Sequence, residues 1–323
     1  MRKYQTEFGL NVYTNYKAII SPSQLESFES STHQYHIYGI LLAAKYFLLQ
    51  DSVTQYVDHI ELILFANAFG KHYEYPVRFS LGSHLNHNKI KIDSVYPYSV
   101  IRFKIEDEEW LAQNGSQRCI EATASELFDF FLISSNSVDK VEYKVLYIGQ
   151  SYGKRGERSA IERLSSHETL QKILIDAQRV YSEYDIKIML LEMAYRLNTG
   201  IVTKNVTTQK NNEEDNQHIK STLMSLPIEQ QVINITEAAI INYFKPIYNE
   251  KFVENFPSDK HKSYNQYYKL DYDDLVIELD MEFESFPFVE LFSDNARIES
   301  VWTFIHYKLD KNAARDSIYT MFN

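Results

Sequence analysis

Cysteine is nearly missing from this 323-residue chain, which carries one, Cys119. A single thiol excludes an internal disulfide and cannot assemble a Cys-based zinc site. It points to a reducing, cytoplasmic setting. Long apolar runs are missing too. The longest, Tyr38 to Leu49 (YGILLAAKYFLL), is interrupted by Lys45 and falls short of the ~20 residues needed to cross a bilayer. It reads as a buried helix, and no membrane partner is expected. The N-terminal MRKYQTEFGLNVY has two basic residues without the apolar run of a secretory signal. Positive charge is scarce: the net charge of −11 argues against a protein that coats nucleic acid over its whole surface. No internal repeat with a period of 20 to 50 residues is present.

The composition that remains is that of a folded protein, 44% apolar and 24% charged. Its 25 tyrosines and 19 phenylalanines read as packing groups. The length suits two or three domains at roughly 100 to 200 residues each. Charge is unevenly spread. Val141 to Arg179 holds seven basic against five acidic residues, whereas Val253 to Ser300 holds twelve acidic against four basic. These shifts divide the chain into an N-terminal α+β accessory region (1–125), a central domain (126–252) with a polar insertion at 198–226, and an acidic, aromatic C-terminal region (253–323).

Within the first region, YPVRFSL (75–81) and YSVIRFKI (98–105) alternate as strands do. Ser125 to Phe131 looks helical and leads into Leu132-Ile133-Ser134, a polar turn and the run VEYKVLYIG (141–149), which together suggest a β-hairpin. HETLQKILIDAQRVY (167–181) is helix-like, with a break expected near Ser165, where Ser165 and Glu168 have capping-box spacing. DIKIMLLEM (185–193) reads as a buried strand. KNVTTQKNNEEDNQH (204–218) lacks periodicity and reads as an inserted loop. TEAAIINYF (236–244) is helical and is stopped by Pro246. A last helix is expected around Asn312 to Phe322.

Three patterns follow one another in the central domain: Tyr147-Ile148-Gly149-Gln150-Ser151, then Arg163-Leu164-Ser165-Ser166-His167, then Glu237 followed by Pro246-Ile247-Tyr248-Asn249. In that order they resemble the GIY-YIG nuclease family over roughly residues 130–252. The resemblance implies an α+β fold, a small mixed sheet flanked by helices, that presents an arginine and a glutamate at a shallow surface. It implies Tyr147, Arg163, His167 and Glu237 as catalytic residues, Glu237 as ligand of one Mg2+ or Mn2+, and Asn249 as the asparagine that closes the motif. The nearest counterpart of the opening GIY strand is Phe131-Leu132-Ile133, which has no tyrosine. Tyr143 or His167 would then stand near the attacking water.

These residue types suit phosphodiester hydrolysis. Arginine offers a fixed fork of donors matched to phosphate, and a glutamate supplies the hard oxygen that magnesium prefers. Tyrosine or histidine can take a proton from water. On a helical wheel Glu237 falls among Ile240, Ile241 and Phe244, so its carboxylate must face the body of the domain. Lys154, Arg155 and Arg158 form a basic loop beside Arg163 that is expected to contact DNA phosphates, and Asn249 is expected to contact DNA with them. The expectation is a divalent-metal-dependent endonuclease acting on double-stranded DNA, in the restriction or defence setting that the family includes. The alternative is a catalytically weak or inactive GIY-YIG-like module that binds DNA or a protein partner. The acidic C-terminal region is expected to dock a partner or shield the nuclease face.

Overall fold

In the computed structural model, residues 4–25, 33–115, 118–134, 138–150, 168–201, 212–283 and 288–309 are described. The fold is mixed α+β, 26% helix and 42% strand. Its strands are β1 (Thr6–Ile20), β2 (Ile37–Ala44), β3 (Phe47–Leu48), β4 (Thr54–Gln55), β5 (Ile60–Ala68), β6 (Lys71–Phe79), β7 (Ile90–Asp93), β8 (Val100–Ile105), β9 (Cys119–Thr123), β10 (Lys140–Gln150), β11 (Tyr184–Ile201), β12 (Asp274–Asp280), β13 (Phe288–Phe292) and β14 (Trp302–Lys308). The α-helices are α1 (Glu108–Asn114), α2 (Ala124–Ser134), α3 (Glu168–Val180), α4 (Asn212–Met224), α5 (Glu229–Phe244) and α6 (Gln266–Lys269). None is long and apolar enough to cross a membrane, among the described residues.

One seven-stranded sheet organises the molecule, in the order β13-β10-β2-β11-β1-β12-β14. Neighbours β10–β2, β2–β11, β11–β1 and β12–β14 run antiparallel, while β1–β12 and β10–β13 run parallel. The sheet takes strands from all three sequence regions and does not follow divisions at 125 and 252. The acidic C-terminal region supplies β12, β13 and β14, and its Tyr264, Tyr267 and Tyr272 are buried in the core. Two smaller sheets, β3-β5-β4 with β6 on β5, and β7-β8-β9, lie in the chain between β2 and β10.

The run expected as a buried helix from Tyr38 to Leu49 is instead β2, followed by the short β3. Its residues divide by parity: Ile37, Leu41 and Ala43 join the larger core, and Tyr38, Ile40 and Leu42 join the core on the other face. A central strand covered on both faces is apolar throughout, so its period of two is invisible in sequence. Residues 131–134, expected as a hairpin strand, end helix α2. Phe128, Phe131 and Leu132 are buried there, and β10 pairs with β2 in place of the expected partner.

Helix α2 is tied to the main sheet by Lys187 on β11. Its buried ammonium pairs with Asp129 on α2 and donates to Ser21 Oγ at 3.0 Å. The strand expected at 185–193 runs on to Ile201. Part of the expected inserted loop, from Asn212, forms α4. Helix α5 begins at Glu229, ahead of the expected Thr236, and ends at Phe244 with Lys245 in the left-handed conformation at φ 48° before Pro246. The break near Ser165 and the helix around 312–322 lie outside the described residues.

Candidate functional site

Strand β10 carries Tyr147-Ile148-Gly149-Gln150. Its antiparallel register on β2 places Tyr147 opposite Ile40, Ile148 opposite Gly39, Gly149 opposite Tyr38 and Gln150 opposite Ile37, with an irregularity between Val145 and Tyr147. Such a bulge re-aims the side chains that follow it. Tyr143 and Val145, before it, belong to the larger core, whereas Leu146 and Tyr147 pack with Tyr38 on the other face. Tyr143 therefore packs on the face opposite Tyr147. It is buried, and burial first, then nearby Asp129, raises its pKa well beyond the ordinary tyrosine range.

Tyr38 was not among the residues singled out in the sequence. It is fully buried, and its ring lies 6.0 Å from that of Tyr147. A Cβ built on Gly149 would stand 2.6 Å from Tyr38 Cζ and Oη and 2.8 Å from Tyr147 Cε1. The glycine is required by space, because its φ is not in the left-handed range. Two tyrosines thus close over one glycine from adjacent strands.

Beyond the end of β13, which pairs only with residues 140–144, β10 presents an open edge. The segment after α5 covers it. Tyr248 N donates to Leu146 O at 3.2 Å. The Asn249 amide then accepts from Ile148 N at 2.9 Å and donates to Ile148 O at 2.8 Å, replacing a missing strand. Asn249, expected to contact DNA, therefore has both ends of its amide engaged with the backbone. Tyr248 Oη donates to Asp176 Oδ2 on α3 at 2.9 Å, and burial followed by this bond raises its pKa.

Between α3, α5, the edge of β10 and the 246–253 segment lies a cleft of about 620 Å³ lined by Tyr147, Gln150, Lys172, Asn234, Glu237 and Asn249, among others. Helix α5 is buried at Val232, Ile233, Ile235, Thr236, Ala238, Ala239 and Ile240, on more sides than a single stripe. Glu237 is half-buried and is turned to this cleft. Asn234, one turn earlier on α5, accepts from Gln150 Nε2 at 2.9 Å and donates to Ser263 O at 2.9 Å.

The structure thus brings Tyr147, Glu237 and Asn249 to one cleft. Arg163, His167, Lys154, Arg155 and Arg158 lie outside the described residues. Of the groups that sequence reading missed, Tyr38 had a signal in the apolar context of His36-Ile37-Tyr38-Gly39-Ile40. Gln150 and Asn234 had none, since a polar residue beside a glycine or on a helix is ordinary.

For a divalent cation, the cleft offers the Glu237 carboxylate as a hard donor. No group of three or more His, Cys, Asp or Glu is arranged to hold a metal among the described residues. The donor set fits an ion that keeps most of its water, as magnesium does, and does not fit a closed cage. No protein-family model, curated protein or solved structure matches the chain.

Proposed function

We propose that the cleft hydrolyses DNA phosphodiester bonds, in a GIY-YIG-like nuclease whose opening tyrosine is Tyr38. The observation that carries this reading is the pairing of Ile37-Tyr38-Gly39 against Tyr147-Ile148-Gly149, with the Glu237 helix beside the same edge. The first motif is then not degenerate. It stands on β2, separated from the second by the chain that forms the two smaller sheets and α2. This removes the reason for preferring an inactive binding module, which was the apparent loss of that tyrosine.

In this reading Tyr147 would orient or deprotonate the attacking water, Tyr38 fixes the Tyr147 ring, and Glu237 would hold a divalent ion. Arg163 would stabilise charge on the transferring phosphoryl group through its fixed fork. Lys172, on the cleft wall with its ammonium over the Tyr248 ring, adds a positive charge. A bound Mg2+ or Mn2+ would supply Lewis-acid stabilisation of the leaving oxygen. Double-stranded DNA is the proposed substrate, with Lys154, Arg155 and Arg158 as phosphate contacts. A restriction or defence role rests on the family resemblance alone. The test is cleavage of plasmid, linear and single-stranded DNA with Mg2+ or Mn2+. Cleavage lost with Glu237→Gln and Arg163→Ala supports the reading; cleavage that survives both removes it.

A further inference from the structure

The hairpin between β5 and β6 is built against its own turn chemistry. Ala68 pairs with Lys71, so Phe69-Gly70 is a two-residue loop, and both residues have positive φ, 53° and 73°. Asparagine, aspartate and glycine are what such a turn prefers, and a bulky side chain in the left-handed region is strained. Phe69 N donates to Tyr184 Oη at 3.1 Å, which fixes the loop on the main sheet. The strained position carries a ring into a defined place. Phe69 lies 5.1 Å from the ring of Tyr184 and 5.0 Å, edge-on, from that of Phe292. With Tyr181 these rings line a pocket of about 250 Å³. Phe69, Tyr181 and Tyr184 are half-buried, so ring surface is open to a ligand.

Lys71, Lys144 and Arg297 supply the polar wall of this pocket. Glu142 accepts from Lys71 at 2.7 Å and from Arg297 at 3.0 Å, and Arg297 also pairs with Glu290. Those carboxylates are only 6% and 3% exposed, whereas Lys71 and Arg297 are 50% and 38% exposed, so the charge offered to a ligand is positive. Lys144 pairs with exposed Asp294 at 2.7 Å, a weak surface pair that a stronger anion can displace. Aromatic faces beside cations are how proteins hold unpaired nucleotides. The cavity is smaller than the roughly 300–1,000 Å³ of clefts that enclose a whole small-molecule ligand, and suits one base with its phosphate at the rim. Lys144 stands opposite Leu42 on the face that carries Tyr38 and Tyr147. Three residues of β10, roughly 10 Å, separate it from Tyr147. Tyr181 is also near enough to Tyr248 of the cleft to raise its pKa, after burial and Asp176. We infer that this pocket takes the base of an unpaired nucleotide next to the scissile bond, stacked on Phe69 and Tyr184 with its phosphate on Lys144, Lys71 and Arg297. The inference rests on the nuclease reading of the cleft and narrows its substrate to DNA with an overhang or an extruded base. A base inside a duplex is stacked and cannot enter.

The test is binding to the full chain, in EDTA and so without turnover, of a blunt DNA duplex, the same duplex with a short single-stranded overhang, and deoxyadenosine monophosphate. The overhang duplex should bind more tightly than the blunt one. Phe69→Asn gives the turn a residue it prefers, which keeps the hairpin, and should weaken the overhang duplex about 10-fold through lost stacking while leaving the blunt duplex unchanged. Lys144→Gln breaks only an exposed pair and should make the salt dependence of overhang binding shallower by about 0.7 in log K against log salt. Overhang affinity unchanged in both variants would overturn the inference, even if Phe69→Asn melts lower, because Phe69 would then be a hairpin anchor. Mononucleotide binding with equal affinity for the two duplexes would assign the pocket to a free nucleotide and overturn its link to the cleft. Overhang affinity lost in the pocket variants, with no cleavage of either duplex by wild type in Mg2+, would leave the pocket standing and remove the nuclease reading. Cleavage lost in Glu237→Gln, with overhang affinity untouched by the pocket variants, would do the reverse.

Discussion

Adding one methyl group at Gly149 should disturb the molecule more than its size suggests. The alanine Cβ would stand 2.6 Å from two atoms of Tyr38 and 2.8 Å from Tyr147, roughly 1 Å inside the 3.5–4.0 Å contact distance of carbon atoms. Neither ring can retreat freely. Tyr38 is fully buried between β10 and β11 on the face covered by α3, and Tyr147 packs on the same cluster. Overpacking of this kind costs about 1–3 kcal/mol, which for a chain of this size lowers the melting temperature by roughly 2–5 °C. The tyrosine rings would shift by about as much as the missing space. A displacement near 1 Å at a reacting group reduces turnover about 100-fold. The assay is thermal unfolding of Gly149→Ala, Tyr38→Val and the double variant, with DNA cleavage measured on each. The cost of Gly149→Ala should shrink by at least about 1 kcal/mol when Tyr38 is already valine. A Gly149→Ala protein within about 0.5 kcal/mol of wild type, or an equal cost in both backgrounds, would refute the steric argument.

Asn249→Leu should cost about 2–3 kcal/mol, since it removes two hydrogen bonds and leaves the Ile148 backbone groups without their partner. Hydrogen exchange at the Ile148 amide should accelerate, and unchanged protection would count against the clamp. Asp129→Ala strands the buried Lys187 ammonium and should destabilise by about 3 kcal/mol, the low end for a buried pair because Asp129 keeps partial solvent contact. Asp129→Leu with Lys187→Met together should recover most of that loss in denaturant unfolding, and an additive loss would contradict the ion-pair reading. His36 is buried, and burial lowers its pKa from 6.5, against the opposing pull of Glu229 and Glu192. A depressed folded pKa contributes stability that is present above the unfolded value and lost as pH falls through the folded one. Stability should therefore decline as pH drops below about 6.5, and His36→Gln should flatten that decline; an identical pH profile would remove His36 as its source.

Some of this architecture was legible in residue order and some was not. The helix over Glu168–Val180, the strand at 185–193 and the stop before Pro246 follow from local patterns that tertiary packing then reinforces. The strand β2 was hidden because both its faces are buried, so Ile37 to Ala44 shows neither the period of a strand nor that of a helix. Its partner was hidden for another reason. An antiparallel pairing between Tyr38 and Gly149 joins segments separated by two small sheets, and no local signal records it. The search for a partner beside β10 in sequence led to Phe131-Leu132-Ile133, whose apolar side chains serve a helix. Likewise the acidity of 253–300 marked a compositional boundary while β12, β13 and β14 were completing the main sheet. Truncation at Val253 would remove those strands and so tests no shielding role. At the cleft, Tyr147, Glu237 and Asn249 were visible through their motif, while the bonds of Asn249 to the Ile148 backbone were not. An asparagine that binds backbone and one that binds substrate look alike until the edge it covers is seen.

The central claim is that Tyr38, Tyr147 and Glu237 belong to one hydrolytic site. The most direct measurement is the single-turnover rate of DNA cleavage in Mg2+ or Mn2+ by wild type, Tyr147→Phe, Tyr38→Phe and Glu237→Gln, each confirmed folded by its melting curve. We expect wild type to cleave, Glu237→Gln and Tyr147→Phe to lose about 100-fold or more, and Tyr38→Phe to lose less, because its ring still holds Tyr147 over Gly149. Cleavage at the wild-type rate by Glu237→Gln and Tyr147→Phe would contradict the claim.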